Sequence, residues 1–190
     1  MKRLFALLSL ATIFAAPAHA GLVNVSYVTL TNAVNDILQV AEFQAFAHQT
    51  GTNVALASQG AVASSTVGSW DADSTPGKAI DGNLAQNFPN MYHPQQFFSG
   101  DLTIRFASVV ELDSFRIYGR TDCCASRDVY NVAFFDINDK LLYTAQFADA
   151  RATNQVTVVL PNTAVPEPTS VALLGLGLLG VIAARRKKVG

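Results

Sequence analysis

Apolar and polar residues alternate with a period of two over much of the middle of this chain. Residues 23–30 ("VNVSYVTL") alternate and are rich in β-branched side chains, the mark of a half-buried strand. Residues 102–106, 112–119, 129–137, 141–147 and 155–160 read as further short strands. Within 112–119, Phe115 and Ile117 share one parity and are expected in the core, while Arg116 and Tyr118 point outward. Residues 37–46 ("ILQVAEFQAF") are mixed. Apolar residues fall on both parities, and a helix fits part of the segment as well as a strand does. Residues 136–140 ("DINDK") have the composition of a turn between two strands.

Residues 57–96 break this pattern. They are rich in Ser, Gly, Asp, Asn and Pro and only weakly periodic. A loop-rich stretch of that length inside a compact domain is usually functional or organised by an ion. Many short strands with long loops at one end predict an all-β fold, a jelly-roll β-sandwich. There is no internal repeat. Of the histidines, His48 stands near an expected turn and reads as solvated.

The two ends carry different chemistry. Lys2 and Arg3 precede an apolar run, and Ala18-His19-Ala20 is a small-x-small cleavage site. Residues 1–20 therefore read as a secretory signal peptide, cut before Gly21; the run is short for a membrane span. His19 leaves with it. At the other end Pro166-Glu167-Pro168 leads into an apolar stretch at 171–184, and Arg185-Arg186-Lys187-Lys188 follows. The cations orient such a helix with its basic end in the cytoplasm, so the domain ahead of it faces the far side of that membrane. The tail at 165–190 resembles the PEP-CTERM sorting signal of Gram-negative bacteria. That resemblance implies an exosortase-type transpeptidase that recognises Pro166, Glu167 and Pro168 and removes the transmembrane helix. Inner-membrane anchoring is then transient or permanent, and the product goes to the cell surface or the extracellular polymer matrix.

About 145 residues, 21–164, remain between these segments, the size of one domain. Six of the 13 Lys and Arg sit in the two end segments. The stretch between them, Glu167 included, holds 7 basic against 14 acidic residues, a net charge of −7. Nucleic acid and anionic lipid are poor partners for such a chain, because phosphate binding needs a basic footprint.

The only two cysteines, Cys123 and Cys124, are adjacent in "RTDCCASRD". They are either two free thiols or bonded to each other. Neighbouring Cα atoms stand about 3.8 Å apart, whereas ordinary disulfides span about 4.4–6.8 Å. A bridge here would close almost no loop and add little chain-entropy stabilisation. Its use would be as a stiff apolar sulfur surface. A thiolate metal site lacks further Cys ligands.

The spacing around the pair is more specific. His93 is followed after 26 residues by Arg120, then Thr121, Asp122, four more residues and Arg127. This pattern resembles the F-type lectin motif of the fucose-binding family, including the vicinal cysteines of its strict members. Residues 51–65 look like the opening of discoidin-type domains, the wider fold family, and 78–88 ("KAIDGNLAQNF") look like their Ala-Ile-Asp-Gly-Asn element. The resemblance covers most of residues 22–161 and implies a discoidin-like β-sandwich that recognises terminal L-fucose on a fucosylated glycan or extracellular polysaccharide. It implies that Cys123 and Cys124 are disulfide-bonded and lie against an apolar face of the sugar. It also implies a structural calcium ion held by Asp81 and backbone carbonyls near Lys78 and Asn83, although residues 155–163 hold no acid to complete the set.

The chemistry of those residues agrees with a sugar ligand. Arginine offers five donors in a rigid fork and never loses its charge. Arg120 and Arg127 would donate to the 3-hydroxyl, the axial 4-hydroxyl and the ring oxygen, and His93 would complete recognition of the 4-hydroxyl. Asp122 would hold an arginine in place. Phe88 is the first candidate wall for the 6-methyl group, with Trp70 and then Tyr92 behind it. A site built this way rejects an epimer, because its own donors are left unpaired. The expected function is a surface or matrix lectin. An enzyme is not expected, since two arginines and a sulfur patch make no hydrolytic carboxylate pair. The alternative is a structural discoidin-like matrix or adhesion protein without sugar binding.

Overall fold

The computed structural model describes residues 21–95 and 100–161. The segment expected to be a signal peptide, 1–20, and the sorting tail at 165–190, with Pro166, Glu167, Pro168 and the apolar stretch at 171–184, lie outside the described residues. Seven strands follow one another: β1 (Leu22–Asn32), β2 (Glu42–Ala47), β3 (Val62–Ser64), β4 (Asp101–Tyr118), β5 (Val129–Phe135), β6 (Leu141–Asp149) and β7 (Gln155–Val159). Every strand pairing is antiparallel, along a path β2-β4-β1-β5-β6 with β3 and β7 also paired to β4. Three short 3-10 turns, Ala57–Gln59, Pro76–Ile80 and Ala125–Arg127, complete the regular structure among the described residues. Among the described residues no helix is long and apolar enough to cross a membrane. The described residues form an all-β fold, as the alternation predicts.

β4 organises the fold. The strands expected at 102–106 and 112–119 are one strand of 18 residues, because Ala107-Ser108-Val109-Val110-Glu111 contains no Gly, Pro, Asn or Asp to turn the chain. Its buried parity changes part-way. Leu102, Ile104, Phe106 and Leu112 point inward, and after them Phe115 and Ile117. The change falls at Asp113. Phe46 of β2 stands opposite Ser114 and Ala47 opposite Leu112, so Asp113 is the extra residue of a β-bulge. Its carboxylate meets His48 Nδ1 at 2.6 Å. His48 is thus hydrogen-bonded to Asp113 and largely buried, not solvated, because the bulge turns Asp113 toward it.

The first half of β4 lies between β1 and β3, the second between β2 and β7. Phe134 is in register with Val28, and Val28 with Ile104. Phe115 stands eleven residues beyond Ile104, about 36 Å away along a straight strand. Yet the rings of Phe115 and Phe134 are 5.3 Å apart. β4 therefore bends and lays its second half over the first group of strands. Val28, Leu30, Phe43, Ile104, Ile117 and Val132 belong to the same buried core as this pair. Each such side chain contributes about 1.5–3 kcal/mol on burial.

The mixed segment at 37–46 has a physical explanation. Only Glu42–Ala47 is strand. Ile37 to Phe43 are all buried, so both parities face protein, and Val40 exchanges backbone hydrogen bonds with Tyr92. No helix forms there. The turn at 136–140 is as expected: the Asp136 carboxylate accepts the amides of Asn138 and Lys140 at 2.8 and 2.9 Å.

Candidate functional site

Two loops, one before β4 and one after it, are zipped together at one end of the sheet. Thr121 donates its amide and hydroxyl to the Gln86 carbonyl at 2.7 and 2.9 Å. Gln86 Nε2 returns a bond to the Gly119 carbonyl at 3.0 Å. Below them Asp128 is fully buried. Its carboxylate accepts the Arg120 amide at 2.7 Å and Gln39 Nε2 at 3.2 Å. Burial pushes its pKa up to about 6, against the pull of those hydrogen bonds and of Arg120. Glycine is required at 119, since a Cβ there would overlap the Asp128 carboxylate. At the far end of the loop, Asn32 of β1 donates to the Arg127 carbonyl at 2.7 Å.

This frame encloses a cavity of about 310 Å³ lined by Ile37, Trp70, Phe88, His93, Arg120 and Arg127. His93 is only 6% exposed. The rings of Trp70 and Phe88 flank it edge-on at 5.8 and 5.9 Å. Its Nδ1 lies 3.0 Å from the Pro94 carbonyl. A carbonyl only accepts, so Nδ1 carries the proton and Nε2 keeps a lone pair in the neutral ring. Burial holds the imidazole pKa below its usual value; Pro94 opposes this, and the charges of Arg120 and Arg127 add to it.

Each arginine is tethered along one edge. Arg120 Nε and Nη2 donate to the two Asp122 oxygens at 2.6 and 3.2 Å, and this holds the Asp122 pKa below the carboxylate range. The Arg120 guanidinium also lies 5.5 Å from the centre of the Phe88 ring, a cation–π distance. Arg127 Nε pairs with Asp36 at 3.1 Å. Two fixed forks of donors, one acceptor and an aromatic wall can hydrogen-bond a small neutral ligand that carries several hydroxyls.

Trp70, Phe88, His93, Arg120 and Arg127 are thus brought together, and Asp122 holds Arg120. Cys123 and Cys124 are disulfide-bonded. They lie in the loop between the arginines, Cys123 exposed and Cys124 half-buried, and are not among the six lining residues. Cys124 has a left-handed backbone (φ 60°) and starts the turn that carries Arg127, whose amide bonds its carbonyl at 3.1 Å. Tyr92 is a core residue, its hydroxyl bonded to Ser65 at 2.6 Å. Ile37, Asp36, Gln39 and Asp128 were not singled out in the sequence. Ile37 and Gln39 sit inside an apolar-looking segment more than 80 residues from Arg120, and nothing local marks them.

The loop expected to hold calcium is tightly turned. Lys78 Nζ is 3.6 Å from Asp81 Oδ2, Asp81 Oδ1 accepts the Asn83 amide at 2.8 Å, and Gly82 has φ +83°. Beside it lies a carboxylate that the sequence did not flag. Glu42 of β2 is fully buried, Oε2 accepts the Gly82 amide at 3.4 Å, and Oε1 has no hydrogen-bond partner. Burial pushes Glu42 up to about 8, with the Asp81 charge adding to the shift. Among the described residues no three His, Cys, Asp or Glu side chains form a metal cluster. A cation here would draw on Glu42, Asp81 and backbone or amide oxygens, a donor set that suits a hard ion.

Beyond the described residues, the chain carries the PEP-CTERM protein-sorting motif over residues 164–187. That motif implies export, exosortase processing at the C-terminus, and a place at the surface or outside of a Gram-negative cell. No curated protein and no solved structure matches the chain.

Proposed function

We propose that this protein is an exported lectin for terminal L-fucose, built on a jelly-roll β-sandwich of the discoidin-like kind. One observation carries the reading: His93 from the loop before β4 joins Arg120 and Arg127 from the loop after it around one small cavity with an aromatic wall. The guanidiniums donate to the 3-hydroxyl, 4-hydroxyl and ring oxygen. Neutral His93 accepts from the axial 4-hydroxyl through Nε2. Phe88 receives the 6-methyl group. The sharing of β4 between two groups of strands supports the sandwich assignment. In this reading the protein is a binder, not an enzyme. Display of many copies on a surface or in a matrix strengthens one weak site by avidity.

A calcium ion belongs to the same proposal, held by Asp81, Glu42 and oxygens near Lys78 and Asn83. Its support is the buried, unpartnered Glu42 Oε1. Calcium should raise the melting temperature, chelation should lower it, and Glu42→Gln should remove the difference. An equal response in the variant would eliminate Glu42 as a ligand.

The main test is calorimetric titration of oxidised residues 21–164 with L-fucose, with D-glucose as control. Binding that disappears in Arg127→Ala, with D-glucose inert, is the expected result. Silence at millimolar L-fucose with calcium present would sink the lectin reading and favour a structural matrix role.

A further inference from the structure

Trp70 is the only tryptophan in the chain, and its place differs from that of the other lining residues. His93 is buried and Phe88 half-buried, whereas the indole is 55% exposed. Its backbone is nevertheless strapped down. Ser69 bridges Pro94, the Trp70 amide donates to the His93 carbonyl at 2.9 Å, and the Gln95 amide donates to the Gly68 carbonyl at 2.7 Å. On the other side Asp71 and Ser74 form a hydrogen-bonded turn, and the Ser74 carbonyl accepts the His93 amide at 3.1 Å. A large aromatic is therefore held at the mouth of the cavity on a braced backbone.

The cavity, about 310 Å³, is at the lower end of the range of about 300–1,000 Å³ for ligand pockets. It has room for one sugar ring. Whatever is linked to that ring must leave through the mouth, past Trp70. A pyranose has an apolar C–H face, and the negative face of an indole attracts such hydrogens.

We propose that Trp70 forms a second subsite, a platform for the sugar residue to which the terminal one is linked, and so selects glycan context. The inference rests on the fucose reading and extends it from a monosaccharide to a linked pair. The test uses the exported protein in its natural processed form, titrated with methyl α-L-fucoside and with disaccharides of L-fucose linked to galactose or N-acetylglucosamine. At least one disaccharide should bind about two- to tenfold tighter than the methyl fucoside. Trp70→Ala should bring that ratio close to one, and Trp70→Phe should restore part of it. Because Trp70 is the sole indole, its emission should shift more with that disaccharide than with the methyl fucoside. A ratio unchanged by Trp70→Ala, or no disaccharide preference in the native protein, overturns the subsite while leaving the fucose reading standing. Failure of the methyl fucoside to bind at all overturns both.

Discussion

His93 and Asp128 show what burial does to single side chains. With Nδ1 committed to Pro94, His93 can accept a ligand hydroxyl only while it is neutral, and burial favours that form. Fucose affinity should therefore be level from pH 8 down to about 6.5, the ordinary imidazole value, and fall only below it. Titrations at stepped pH check this, and a loss beginning above that value would contradict it. Asp128 works on stability. Its folded pKa of about 6 stands above the ordinary 3.8, so between these values the folded state holds the extra proton. Stability should fall as pH rises through that window. Asp128→Asn should flatten the slope of melting temperature against pH. Glu42 adds a slope of the same sign, so the quantity to read is the difference between the two proteins. Neither residue's environment was legible in the sequence. Spacing marks His93 and nothing local marks Asp128, and the burial of both depends on loops from elsewhere in the chain.

At the scale of elements, the strands were legible and their joints were not. Residues 129–137 and 155–160 show their period of two because one face of each meets the core and the other is less buried. The segment at 37–46 hid its strand because protein covers both of its sides. β4 read as two strands because its buried parity changes at Asp113, and a bulge leaves no local composition signal. The bend places Phe115 on Phe134, and that contact is where the two halves of the fold meet. Phe115→Ala should cost about 3–5 kcal/mol. Urea unfolding measures it; a loss under about 1 kcal/mol would mean the halves are held together elsewhere. The 119–128 loop inherits its position from the same strand, whose last residue precedes Gly119.

Across the whole molecule, the C-terminal motif bears on destination, and the folded middle carries the proposed recognition site. The PEP-CTERM motif at 164–187 implies processing at the membrane and delivery outward. Replacement of Pro166, Glu167 and Pro168 by alanine should leave the unprocessed chain in the membrane fraction and deplete the surface and medium. Cell fractionation with an antibody to the folded domain would show this, and normal release by the variant would argue against exosortase handling. The acidic balance between the ends, −7 with Glu167 counted, leaves no basic footprint for phosphate, and in the proposed reading the small, internally neutralised site takes a neutral ligand.

What the sequence alone determined is whatever short-range patterns encode. Alternation specified an all-β chain. The C-terminal tail specified the sorting route, since a transpeptidase reads such a motif as a linear string. The His-Arg-Asp-Arg spacing marked His93, Arg120 and Arg127, which line the cavity, and Asp122, which holds Arg120. The tertiary structure decided everything that depends on distant segments meeting. It paired Arg127 with Asp36, seated Asp128 under Arg120, brought Ile37 into the cavity wall, and placed Glu42 beside the Asp81 loop. The physical reason is common to all four. A buried or paired side chain is defined by what surrounds it, and those surroundings come from parts of the chain that only the bend of β4 and the zipped loops bring together.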